Sequence, residues 1–299
     1  MLTLAVVSFS ARDASALAPQ IPRHSFTWMN LTAVQWNPLG LQTDLVLGYR
    51  YRLYNSQSML FRNSFVSPFF ITRVNPAFGR VGAGVTIQPI AAFRLQAQYE
   101  YRAYFGSFDM LQSWTSPTED HGPDRREQRG DADENYLGTG HQLSLKATVR
   151  MKVGPIALLN DTTLFYFRMN LRPGDTVFYA ALVDTVMPGK GWTVVNDANL
   201  VYVTRFGLIA GLRYSVIHAA YSKADYSGAA PQNINTPMHR LGAIAAYTFK
   251  SSRKRFQKPT VILIVNWWLR HRYRTGQEIT QALPYGVVAF RVHGDLWTP

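Results

Sequence analysis

The segment Phe93-Arg94-Leu95-Gln96-Ala97-Gln98-Tyr99-Glu100-Tyr101-Arg102-Ala103-Tyr104-Phe105 alternates without a break. Odd positions are apolar or aromatic. Even positions are Arg, Gln, Gln, Glu, Arg and Tyr. Successive side chains on a strand point to opposite faces, so this ribbon has one greasy face and one strongly polar face. Half-buried strands of soluble proteins also alternate, but they run about five or six residues, and this one runs about twice as long. A strand that crosses a bilayer needs about 9–11 residues. A second run has the same character. Leu143, Leu145, Ala147, Val149, Met151 and Val153 alternate with Gln142, Ser144, Lys146, Thr148, Arg150 and Lys152.

Composition narrows the choice. Hydrophobic residues make up 47% of the 299-residue chain, yet mean hydropathy is only −0.11. No stretch of about 18 apolar residues marks a transmembrane helix. A barrel with half of each strand facing a polar interior has a hydropathy of this kind. The chain has no cysteine, so disulfides and thiolate metal sites are excluded. Net charge is +13. Basic proteins often bind nucleic acid, but here the arginines sit singly inside alternating segments, not in a basic arm, so nucleic acid is not an expected partner. Leu2 to Phe9, followed by small residues through Ala18, reads as the later part of a secretory signal over 1–18, with Ala-x-Ala cleavage at Ala14-Ser15-Ala16 or Ala16-Leu17-Ala18. The remainder, 19–299, reads as one domain.

Strand candidates follow one another along that domain: about Phe26–Trp36, Thr43–Tyr54, Phe61–Arg73, Val81–Gln88, Phe93–Phe105, Gln142–Val153, Ile156–Asn170, Trp192–Thr204, Leu208–Tyr221, Arg240–Phe249, Thr260–Tyr273 and Tyr285–Trp297. Pro68 weakens the third, because proline is tolerated in strands only at edges or bulges. Long polar loops are expected at 106–140, 222–237 and 274–284, and tight turns near Gly154, Gly207 and Ser251. Segment 172–191 reads either as a strand or as a loop. Membrane barrels carry short turns at one end, long loops at the other, and usually an even strand number. Counting from both termini reconciles only if 172–191 does not cross. The expected fold is therefore an all-β, closed antiparallel transmembrane β-barrel of about 12 strands, with 10 or 14 as alternatives.

Paired aromatics near strand ends (Tyr49/Tyr51, Tyr99/Tyr101, Trp267/Trp268) suit the two interfacial girdles of such a barrel. With the strand pattern and the turn–loop rhythm, they make the chain resemble the outer-membrane β-barrels of Gram-negative bacteria over nearly its whole length from Phe26. The resemblance implies residence in the bacterial outer membrane, with outer-membrane lipid and lipopolysaccharide as partners. It implies no cofactor and no particular oligomeric state.

The residues expected on the lumen face are Arg50, Arg52, Arg94, Glu100, Arg102, Lys146, Arg150, Lys152, Arg213, Arg240, Arg270 and Arg272. Rings of Arg and Lys favour anions, and Arg offers a bidentate fork for carboxylate or phosphate. Such a track resembles that of small 12-stranded porins that pass acidic oligosaccharides. It points to a porin-like channel for small anionic solutes. The competing reading has the same arginines closing the barrel through salt bridges and hydrogen bonds, leaving a structural, adhesive or partner-docking protein. A lipid hydrolase is a third class, with Ser215, His218 and His239, or His141 and Ser144, as the loose candidates. Strand parity puts Ser215 and His218 on opposite faces, and catalytic groups must converge. No catalytic residue is therefore assigned. Asp131-Ala132-Asp133-Glu134-Asn135 lacks the spacing of a calcium loop and reads as a solvated charge run, so no metal site is assigned. A soluble β-sandwich would explain the strands but not their length.

Overall fold

The computed structural model describes residues 21–226, 237–251, 253, 255–272 and 282–298. The segment 1–18, most of loops 222–237 and 274–284, and Tyr273 lie outside the described residues. Among the described residues, fifteen strands run in chain order: β1 (His24–Trp36), β2 (Gly40–Arg52), β3 (Phe65–Asn75), β4 (Phe78–Ile90), β5 (Phe93–Phe105), β6 (Ser113–Trp114), β7 (Leu137–Val153), β8 (Ile156–Met169), β9 (Val177–Ala180), β10 (Thr185–Pro188), β11 (Lys190–Val203), β12 (Leu208–Ala220), β13 (Met238–Thr248), β14 (Gln257–Arg270) and β15 (Tyr285–Trp297). A helix, α1 (Pro123–Asp131), lies between β6 and β7.

Twelve of the strands close into one antiparallel barrel, in the order β1-β15-β14-β13-β12-β11-β8-β7-β5-β4-β3-β2. Sequence neighbours pair with sequence neighbours, and β1 closes on β15 from Phe26↔Trp297 to Trp36↔Gly286. Closure removes every strand edge and pairs the backbone within the wall, as hydrocarbon requires. Pro68 is accommodated because the β2–β3 ladder skips it, passing from Gly48↔Phe69 to Tyr51↔Val66.

The greasy faces point outward and touch no protein core. Leu95 is 45% exposed, Tyr99 53%, Leu145 37% and Val149 42%. In a sandwich these residues would be buried. Here they form part of an apolar belt that includes Leu45, Phe70, Val81, Leu200, Leu212, Leu263 and Phe290. An encircling surface of this size needs lipid to cover it. Among the described residues no helix is long and apolar enough to cross a membrane, and the crossing is made by strands. Aromatic pairs mark both ends of the belt. His24 and Tyr49 hydrogen-bond at 2.6 Å near one end, and Tyr166 packs on Trp192 near the other.

One barrel end carries the turns 91–92, 154–155 and 204–207, with longer links at 53–64 and 249–256. The other carries 106–136 and 170–189. These are called the turn end and the loop end. Segment 170–189 does not cross the bilayer. Its two short strands join β6 in a separate three-stranded sheet, in the order β10-β9-β6. Loop 106–140 is shorter than its sequence range, because β7 starts at Leu137, and it contains both β6 and α1. The charge run 131–135, expected to be solvated, starts on the last residue of this helix. Pro123 stands in its first turn with Asp124, and Arg129 in its last, positions that suit a helix start and the helix dipole.

Candidate functional site in the barrel lumen

The lumen divides into three zones along its axis. The middle zone is an ion-pair network on the inward faces of β2 to β5 and β7. Glu100 is fully buried. Its Oε2 accepts from Arg73 Nη1 at 3.3 Å, Gln98 Nε2 at 2.7 Å and Gln142 Nε2 at 3.1 Å, with Arg80 Nη1 4.0 Å away. Arg73 Nε lies 3.2 Å from Asp44 Oδ2. Gln42 bridges the set, donating to Asp44 Oδ1 at 2.6 Å and accepting from Arg80 Nη2 at 2.5 Å. Around the wall, Lys146 pairs with Asp161 at 3.3 Å and Arg213 with Asp197 at 2.7 Å. Gly82 lies level with Glu100. A Cβ there would collide with the Tyr99 carbonyl oxygen and sit 2.8 Å from Glu100 Cγ, so the missing side chain lets the β5 backbone and the stem of the glutamate come this close to β4. The facing wall is apolar: Leu31, Ala33, Ile262, Ile264, Val287 and Ala289 form one inward cluster.

The loop-end zone is filled by the inserted sheet. Phe178, Leu182 and Met187 pack against Phe78, Tyr104, Phe165, Phe167, Ile217 and Trp268 of the wall. A cavity of about 10 Å³ lies among Phe78, Arg102, Phe167 and Leu182, barely room for one water. The sheet is pinned at several points. Gln35 Nε2 donates to the Ala181 carbonyl at 3.1 Å, and His271 Nε2 lies 2.7 Å from the Asp184 carbonyl. The Arg126 guanidinium lies 3.8 Å over Tyr179, and that of Arg129 lies 4.8 Å over Trp114. Arg272 donates to the Pro117 and Thr118 carbonyls, the latter at 2.8 Å. His121, whose ring lies 5.8 Å from that of Trp114, is partly buried, and this burial lowers its pKa to about 3.

The turn-end zone is a half-buried cationic vestibule. Arg94 donates through Nε and Nη2 to Gln88 Oε1 at 2.9 and 2.7 Å, and Arg150 reaches the same oxygen at 3.5 Å. Arg50 and Arg94 both lie over the Phe65 ring, at 4.8 and 5.7 Å. Arg50, Arg150 and Arg291 are all within electrostatic reach of Arg94. The nearby acids are Asp161, which Lys146 already holds, and Asp295, which accepts from Gln257 at 2.9 Å. The Nε atoms of Arg50 and Arg150 are buried without an acceptor among the described residues.

Of the residues read from the sequence, Arg50, Arg94 and Arg150 meet in the vestibule. Glu100, Lys146 and Arg213 belong to the ion-pair zone. Arg102 lies over Phe78, Tyr104 and Phe167, and Arg240 over Trp268 and Tyr285, both beneath the inserted sheet. Arg52 Nη1 donates to the Ile21 carbonyl at the turn end, and Lys152 lies exposed on the last turn of β7. Two expectations need correction. Arg270 is exposed and, after a register shift, lies level with His239 rather than with an inward residue. Arg272 lies beyond β14 and clamps the 106–136 loop. Sequence parity could have found Asp44, which shares the inward face of β2 with Arg50, whereas Asp161, Asp197 and Arg291 lie on β8, β11 and β15, from which no lumen residue was chosen. Arg73 fell on the strand that Pro68 obscured, and Arg80 lay one residue before the expected start of its strand.

The hydrolase candidates do not converge. Ser215 faces inward and donates to Asp197 Oδ1 at 2.6 Å, while Tyr214 and His239 meet on the outer face at 2.6 Å. His141 bonds Tyr99 outside, whereas Ser144 lies inside. In the 131–135 run, Glu134 is taken by Arg129 at 2.5 Å.

No protein-family model matches the chain, and no curated protein matches it in sequence. Similar solved structures are bacterial membrane barrels. The translocator domain of the autotransporter NalP from Neisseria meningitidis is 10% identical, with 90% of this chain and 87% of that chain covered and a TM-score of 0.41. The β domain of the Bordetella autotransporter BrkA is 11% identical, with 90% and 99% covered and a TM-score of 0.43. The KdgM porin is 8% identical, with 91% and 99% covered and a TM-score of 0.39.

Proposed function

We propose that this chain is an outer-membrane barrel that draws small anions into its turn-end vestibule and passes them when the inserted sheet withdraws. The observation that carries this reading is the clustering of Arg50, Arg94 and Arg150 around Phe65 and Gln88, where the acids near them among the described residues are already engaged by Lys146 and Gln257. Cations grouped in a narrow, low-dielectric mouth concentrate anions there. Long loops of such barrels face outward and short turns face the periplasm, so the vestibule opens inward. The middle and loop-end zones hold the resting barrel shut.

Planar-bilayer recording tests this. The reversal potential in a salt gradient is expected on the anion-selective side. Replacing Arg50, Arg94 and Arg150 together by Gln is expected to move it toward cations. An unchanged reversal potential in that variant would remove these arginines from the path.

The packed middle zone supports a second reading, a permanently closed barrel that serves as a structural or docking element. That reading expects no ionic current under any condition, including after removal of the inserted sheet.

A further inference from the structure

The lipid-facing belt is interrupted by a polar cluster halfway up the wall. Asn160 and Thr162 on β8 and Asn196 on β11 all point outward, since their neighbours Ala157, Asp161, Thr163 and Asp197 point in. The two carboxamides bond reciprocally. Asn160 Nδ2 donates to Asn196 Oδ1 at 3.2 Å, and Asn196 Nδ2 donates to Asn160 Oδ1 at 3.0 Å. Asn196 Nδ2 also donates to Thr162 Oγ1 at 2.7 Å, and Thr162 Oγ1 donates to Asn160 Oδ1 at 3.2 Å.

A carboxamide has two N–H donors and two acceptor sites. In this cluster both N–H groups of Asn196 and both acceptor sites of Asn160 Oδ1 are used. One N–H of Asn160 and one acceptor site of Asn196 remain. Acyl chains satisfy neither, and an unmet polar group in hydrocarbon is costly. A donor and an acceptor left side by side are self-complementary. We infer that this face is a homodimer interface, in which Asn160 of each copy donates to the partner's Asn196. A two-fold axis along the membrane normal sets Asn160 of one copy opposite Asn196 of the other, twice, with both barrels inserted in the same direction.

The surroundings suit close approach. Ala147 is level with Thr162, and Ala198 is level with Asn160. These small side chains leave a dent in the belt, and small residues flanking a polar group are the usual means of bringing membrane walls together. A second outward polar set, Asn30, Thr32 and Thr43 on β1 and β2, lies half the barrel away in the strand order. It is less suited. Asn30 spends a donor on the Asp44 carbonyl, and the bulky Phe290 stands exposed level with Thr32, whereas the exposed residue level with Asn160 is the smaller Val149.

The absence of native cysteine makes the test direct. Ala198→Cys, oxidised mildly in lipid bilayers, is expected to give mostly disulfide-linked dimer, while Thr43→Cys stays monomeric. Adding Asn160→Leu with Asn196→Leu to Ala198→Cys is expected to abolish the cross-link. Equal cross-linking at the two positions, or none at Ala198→Cys, overturns the interface. If the double Leu variant does not fold, the comparison of the two single cysteines decides alone. None of these readouts depends on ion passage, so this inference and the proposed function fail separately.

Discussion

Glu100 shows what a single side chain does in this barrel. It is fully buried, and it collects Arg73, Gln98 and Gln142, with Arg80 alongside. Burying a carboxylate is tolerable here because Oε2 accepts from three side chains and the Arg73 and Arg80 guanidiniums balance the charge, although Oε1 has no hydrogen-bond partner among the described residues. Glu100→Gln keeps the shape but removes the charge, so Arg73 and Arg80 share Asp44 alone. Loss of one partner from a buried ion pair costs roughly 3–5 kcal/mol. The variant is expected to unfold at clearly lower urea or temperature, read as the shift in gel mobility between folded and unfolded barrel. An unchanged midpoint would mean that the network contributes nothing to stability. The sequence revealed Glu100 but not its pairing. Parity assigns a residue to a face, whereas Arg73 and Glu100 meet through register across two ladders, from β3 to β4 and from β4 to β5. Parity also missed Arg270, because a bulge between His239 and Arg240 breaks the alternation it relies on.

At the scale of elements, the wall strands were legible and the inserted sheet was not, for one physical reason. A wall strand lies between lipid and lumen, so its sequence alternates. β9 and β10 are buried on both sides, as the unbroken buried stretches Val177–Ala180 and Thr185–Pro188 show, and a strand buried on both faces has no period to read. Loop 106–136 was read by its charge, yet its arginines cap the sheet through Tyr179 and Trp114. His121 ties this cap to pH. Its folded pKa of about 3 lies below the ordinary 6.5. As pH falls below 6.5 the undocked cap takes up a proton and the docked cap does not, so docking weakens progressively toward pH 3. Glu134, held low by Arg129, adds stability that is lost only at more acidic pH, so the window between about 6.5 and 4.5 belongs to the histidine. Amide exchange at Phe178 and Met187, corrected for intrinsic rates, is expected to be faster at pH 5 than at pH 7.5, and His121→Gln is expected to flatten that difference. Equal protection at the two values would show that His121 does not report on docking.

For the molecule as a whole, the question is which zone closes the barrel. The middle zone is held by wall side chains on both sides, the ion pairs of β2 to β7 and the apolar cluster of β13 to β15 and β1. The loop-end zone is held by a segment that belongs to no barrel strand. A small barrel has an interior that its own side chains can fill, so the inserted sheet closes an already narrow space. If the sheet is the gate, replacing Val177–Pro188 by a short Gly/Ser linker removes the cluster of Phe178, Leu182 and Met187 and leaves the twelve-strand ladder intact. The barrel should then still fold and insert, and conductance should rise from near zero to discrete single-channel steps that retain anion preference from the vestibule arginines. Intact folding with no current would place the seal in the ion-pair zone instead. Adding Glu100→Gln to the linker variant then separates the alternatives: current that appears only in the combined variant means two seals in series. A barrel silent in both would favour the permanently closed reading, because no mobile element would remain to open it.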